Sequence, residues 1–71
     1  MDYNQLMFST YCIGCVAEAL KMSQQAVYRL LKDSGILYSY IIAGYEVLHT
    51  FGKNYLVEDI VSYMREKGVL Q

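Results

Sequence analysis

The stretch SQQAVYRLLKDSG, Ser23 to Gly35, decides the fold class. Ser23 is a residue type that accepts a hydrogen bond from the unpaired amides at a helix start, and Met22 before it can staple onto Val27. Val27, Leu30 and Leu31 recur at helical spacing, with glutamine, arginine and lysine between them. Gly35 supplies the left-handed residue that closes a helix, and Ile36 is placed to fold back on Leu31. A cap, an amphipathic run and a stop define one short helix over QQAVYRLLKD. Nowhere does the chain show the two-residue alternation of a strand.

The same grammar repeats outward. Asp2 caps a first helix, with Gln5 three residues later in a variant capping box. Leu6, Phe8, Tyr11, Cys12, Cys15, Val16, Ala19 and Leu20 give that helix a broad apolar face suited to a central position. Gly14 inside it costs about 1 kcal/mol relative to alanine, a cost that a closely packed neighbouring backbone would explain. The run ILYSYIIAGYEVLHTFG predicts a third helix from about Leu37 to Phe51, stopped by Gly52, with Ala43 and Gly44 as the place where it can bend or split. Asn54 reads as the cap of a fourth helix that turns Leu56, Val57, Ile60, Val61 and Met64 toward the core. Glu58 and Asp59 fall in its early turns and Arg65 and Lys67 in its last, the order that complements the helix dipole. Gly68 ends it, leaving Val69 and Leu70 as a tail able to fold back. Short loops between four helices predict an all-α compact bundle, a single helical domain over 1–71.

Composition narrows the function. With 55% apolar and 18% charged residues in 71, the chain is built to fold, and the absence of proline favours helices. Eight tyrosines are more aromatic surface than so small a core can hold, so some rings must face solvent, where they suit interfaces. Seven acidic and six basic side chains leave a net charge of -1, too little to draw in nucleic acid or an acidic membrane. No segment reaches the roughly 20 apolar residues of a membrane span, and the N-terminus lacks the basic start of a signal peptide. A cytoplasmic protein with a protein partner, self-association included, is the expectation.

The segments YRLLKDSGIL, YEVLHTFGKNYLVEDI and KGVL together resemble the family of short bacterial proteins catalogued as the domain of unknown function thirty-seven ninety-one. The most specific marks are Leu48-His49-Thr50 followed by Gly52, and the VEDI segment from Val57 to Ile60. The resemblance implies a small, mostly helical protein of anaerobic and gut-type bacteria, often encoded beside ADP-ribosyltransferase-like proteins. That neighbourhood implies an accessory, antitoxin-like or immunity-like partner. The family has no defined catalytic residues, so none carries over.

Four features compete for a functional role. CIGC, Cys12 to Cys15, has the spacing of a redox or zinc pair, but it lies in mid-helix rather than at a helix start, and His49 is the only other histidine or cysteine. The pair reads as buried thiols, and neither a metal nor a cofactor is expected. His49 has no neighbouring nucleophile, phosphate loop or carboxylate dyad, so it reads as a helix-end histidine one turn from Tyr45 rather than a catalytic base. Ala17 to Leu30 follows the helix-turn-helix pattern: Ala17, Leu20, a turn at Lys21 to Ser23, then Val27 and Leu30. In that alternative Gln24, Gln25, Tyr28, Arg29 and Lys32 project toward DNA, although Lys21 occupies the usual glycine position and no basic cluster supports it. Tyr38, Tyr45 and Tyr55, with His49, form the candidate protein interface, Tyr38 and Tyr45 being two helical turns apart. The leading expectation is a non-enzymatic protein-interaction module, an accessory or antitoxin-like partner of a larger bacterial protein. The competing one is a small helix-turn-helix regulator.

Overall fold

Every described segment of regular structure is helical in the computed structural model, which describes residues 1–70 within an envelope of 30 × 23 × 21 Å. Helix α1 spans Tyr3–Leu20 and packs against the elements that follow: α2 (Gln24–Asp33), a π-helix (Leu37–Ile42) and α4 (Lys53–Glu66). A single turn, α3 (Tyr45–Leu48), lies between the last two. No described helix is long and apolar enough to cross a membrane.

The ends of α1 follow from local chemistry. Asp2 accepts from the Gln5 amide at 2.8 Å while the Gln5 side chain accepts from the Asp2 amide at 3.0 Å, closing the expected capping box. At the other end Lys21 takes the left-handed conformation, φ 56°. Its amide donates to the Glu18 carbonyl and that of Met22 to Ala17, a Schellman turn built on a lysine. Ser23 then accepts from the Ala26 amide at 3.0 Å and starts α2. Gly35, with φ +84°, ends α2, and both Ile36 and Leu31 enter the core.

The third helix departs from expectation. Instead of one helix to Phe51, the chain makes a six-residue π-helix, a turn at Ala43 and Gly44, and the single turn α3. The apolar residues recur five apart, Ile36 with Ile41 and Leu37 with Ile42, which is the step of a π-turn; the Ala43 amide donates to the Tyr38 carbonyl accordingly. Gly44 fixes the break, because a Cβ there would sit 2.6 Å from the Tyr40 carbonyl oxygen. Asn54 is not the cap of α4. Gly52, extended at φ -67° and ψ 160°, holds that place and its carbonyl accepts from the Leu56 amide, leaving Asn54 exposed inside the first turn. No acid lies in that first turn; Asp59, further on, bonds Tyr40. Gly68, φ +76°, ends α4, and Val69 and Leu70 fold back on the core as expected.

One cluster fills the centre, from Cys12 and Val16 of α1 through Val27, Leu31, Ile36 and Ile41 to Leu56, Ile60 and Met64. Gly14 is not faced by a backbone; its nearest neighbour is the Gln24 side chain, 3.8 Å from where a Cβ would stand.

Candidate interaction surface

The chemistry of the surface follows from which apolar residues the core leaves out. Leu6 and Ile13 of α1, Tyr28 of α2, and Leu37, Tyr38 and Ile42 of the π-helix line a hollow of about 220 Å³. Leu6, Tyr28 and Tyr38 remain 50%, 39% and 53% exposed, so its rim is greasy as well as its floor. The hydroxyls of Ser9 and Thr10 in its wall donate back to the Gln5 and Leu6 carbonyls at 2.8 and 3.0 Å, which leaves the phenols as its main polar handles. The volume is below the roughly 300–1,000 Å³ of small-molecule sites. It has room for one or two apolar side chains.

The hollow joins residues that sequence reasoning had kept apart. Tyr38 belonged to the candidate protein interface and Tyr28 to the candidate DNA face; the fold brings both to one groove. Tyr38 and Tyr45 do not act as a shared face, because the π-helix and the break at Gly44 intervene. Tyr45 packs edge-on against Phe8, ring centroids 5.4 Å apart, and stacks on His49 at 4.5 Å. Tyr55, exposed, packs edge-on against Phe51 at 4.8 Å.

His49 is exposed at the C-terminus of α3. Its Nδ1 lies 2.7 Å from the Tyr45 carbonyl oxygen. A carbonyl only accepts, so Nδ1 carries the proton and Nε2 is left as the acceptor of the neutral ring. Cys12 and Cys15 are buried in α1, and burial, with the second cysteine adding to it, pushes the Cys12 thiol up to about 12. A thiol held protonated that firmly is a poor nucleophile and a poor metal ligand. Among the described residues no three histidine, cysteine or carboxylate side chains come together as a metal site. The other strongly shifted group, Tyr40, is driven to about 12 by burial and then by donating to Asp59 at 2.5 Å. This bond ties the π-helix to α4 and is structural.

The candidate DNA-facing residues are all presented. Gln24, Gln25, Tyr28, Arg29 and Lys32 are exposed along α2, with Val27 and Leu31 buried beneath them. The Lys32 ammonium lies over the Tyr28 ring at 5.8 Å, so this edge of the groove is positively charged.

The residues that sequence reasoning missed are on α1. Leu6 and Tyr11 were expected on its apolar, core-facing side, yet both are about half exposed. Of nine exposed large hydrophobics among the described residues, five lie in the first eleven positions: Met1, Tyr3, Leu6, Met7 and Tyr11. A signal was available in the complete lack of charged side chains between Asp2 and Glu18. A solvent-facing helix side ordinarily carries charges.

Residues 7–67 match the family described as a protein of unknown function, DUF3791, and the chain belongs to that family. No curated protein and no solved structure matches it.

Proposed function

We propose that this DUF3791 member is a non-enzymatic protein-interaction module, acting in the cytoplasm as the small accessory or antitoxin-like partner of a larger bacterial protein. The groove between α1, α2 and the π-helix is its docking site. The observation that carries this reading is the apolar cluster of Leu6, Tyr28 and Tyr38, held half exposed around a hollow of side-chain size. Lys32, over the Tyr28 ring at its edge, favours a partner segment whose apolar anchors are flanked by carboxylates. The family resemblance makes an ADP-ribosyltransferase-like protein the first candidate to test. Immobilised protein should retain one specific partner from lysate of the producing bacterium. Leu6→Asp and Tyr38→Asp should each reduce that retention at least about tenfold, a modest hot-spot loss, whereas Tyr55→Asp should not. Equal recovery by all four baits, with helicity unchanged by circular dichroism, would reject the groove.

A second reading, a helix-turn-helix regulator, is favoured by one observation. Lys21 adopts the left-handed conformation that the motif's turn requires, and α2 leaves its polar face open. Duplex DNA should then bind more weakly as salt rises and more weakly still to Arg29→Ala. Absence of binding at low salt removes this reading without touching the first.

A further inference from the structure

The outer side of α1 raises a separate question, because it lies away from both the core and the groove. At 100° per residue, Tyr3, Met7, Tyr11 and Gly14, with Glu18 at the far end, fall within a sector of about 80° opposite the buried Val16, while Leu6 and Ile13 turn toward the groove. Tyr3, Met7 and Tyr11 are between 49% and 72% exposed. We propose that this face pairs with a second copy of the chain, α1 against α1 in antiparallel sense.

Three observations select a second copy over another occupant. The face is self-complementary in size: centred between Met7 and Thr10, the antiparallel register sets each Tyr3 ring over Gly14 of the other copy. Met7 and Tyr11 of the two copies then interleave. It is also free of strong charge repulsion. In the same register Asp2 stands level with Cys15 of the other copy, where Glu18 is already neutralised by Lys53 of α4 at 3.1 Å. Between those ends α1 carries no charge to repel its twin. Finally, the area is adequate. With about 150–250 Å² for each large aromatic side chain, the exposed parts of Tyr3, Met7 and Tyr11 with their flanks offer on the order of 500 Å² per copy. Adding the polar neighbours Asn4, Thr10 and Glu18 brings this toward the roughly 800 Å² per partner of a standard interface.

Sedimentation velocity across a wide concentration range tests the pairing. The wild-type protein should sediment as a dimer that dissociates on dilution. Met7→Glu and Tyr3→Glu should each raise the dissociation constant by roughly thirtyfold, the loss of one interface hot spot. Both positions are exposed and glutamate is a good helix former, so helicity should be unchanged. Tyr55→Asp, an exposed aromatic elsewhere, should dimerise as the wild type does. A wild-type protein that stays monomeric at the highest concentration overturns the inference and leaves the groove reading intact. Dissociation caused by Leu6→Asp or Tyr38→Asp but not by Met7→Glu overturns it by moving the dimer contact to the groove. If Met7→Glu instead abolishes retention of the larger partner by a monomeric protein, the face belongs to that partner.

Discussion

Gly44 shows how one residue redirects a helix. The sequence from Leu37 to Phe51 is apolar enough to run on, and the Ala43–Gly44 pair marked where it could break. The break is obligatory, because the backbone there brings the Tyr40 carbonyl and the Leu48 side chain against the position a Cβ would take, at 2.6 and 3.2 Å. Gly44→Ala should therefore cost about 1–3 kcal/mol, the range of an overpacked site, read from urea unfolding. Gly14→Ala provides the contrast. Within the chain its added methyl meets only the flexible end of Gln24 at 3.8 Å, so at concentrations where the protein is monomeric, relief of the glycine cost should stabilise by up to about 1 kcal/mol. If both changes destabilise equally, the crowding at Gly44 is not what sets its identity. His49 belongs at this scale too. Its exposed ring, bonded and stacked to Tyr45 one turn back, closes a helix end, as its position after a short apolar run had indicated.

Among the elements, the turn between α1 and α2 was legible in every respect but its conformation. Capping at Ser23 and the apolar spacing of Val27 and Leu31 are local effects that sequence records directly. Lys21 looked like an objection to the turn, since glycine is usual there, yet the backbone takes φ 56° regardless. The Schellman bonds from Lys21 and Met22 and the partly buried Met22 offset the strain. A left-handed residue with a side chain costs about 1–2 kcal/mol, and glycine returns part of that gain through its freer unfolded state. Lys21→Gly should thus raise stability by about 0.5–1 kcal/mol, seen as a higher urea midpoint at unchanged slope. A lower midpoint would mean that the lysine stem contributes packing that outweighs its strain. The π-helix and the Gly52 cap were less legible for the opposite reason. Asn54 is the better capping residue by type, but the register of α4 is set by burial of Leu56, Ile60 and Met64, and that register starts the helix one residue before it. Tertiary packing also decided which side of α1 is buried. Its apolar residues surround the helix, so their spacing alone could not separate the core residue Cys12 from the exposed Tyr11.

On the scale of the whole molecule, one buried and one partly buried proton donor couple the fold to alkaline pH. Cys12 sits at the centre of α1 and in the middle of the core, and Tyr40 joins the π-helix to α4 through Asp59. Both are held protonated to about 12 in the folded state, from ordinary values of 9.0 and 10.0, chiefly because burial penalises the charged form. Below about pH 8 each is protonated whether the chain is folded or not, so neither makes stability depend on pH there. Between about pH 9 and 12 the unfolded chain releases its protons first, which favours unfolding and lowers stability as pH rises. Tyr11 and Lys53 are raised as well, Tyr11 first by its bond to Cys15 and Lys53 first by its bond to Glu18, and both act in the same direction; being solvent-exposed, they weigh less. The free energy of unfolding in urea should consequently begin to fall near pH 9 and continue to fall toward pH 12. Tyr40→Phe should flatten the upper part of that limb, from about pH 10, and Cys12→Ala should flatten it from about pH 9. Both variants start from a lower plateau, the first through loss of the Asp59 bond and the second through a small cavity. The diagnostic quantity is therefore the slope and not the absolute stability. A double variant that loses stability with pH as steeply as the parent protein would place the alkaline sensitivity elsewhere in the molecule.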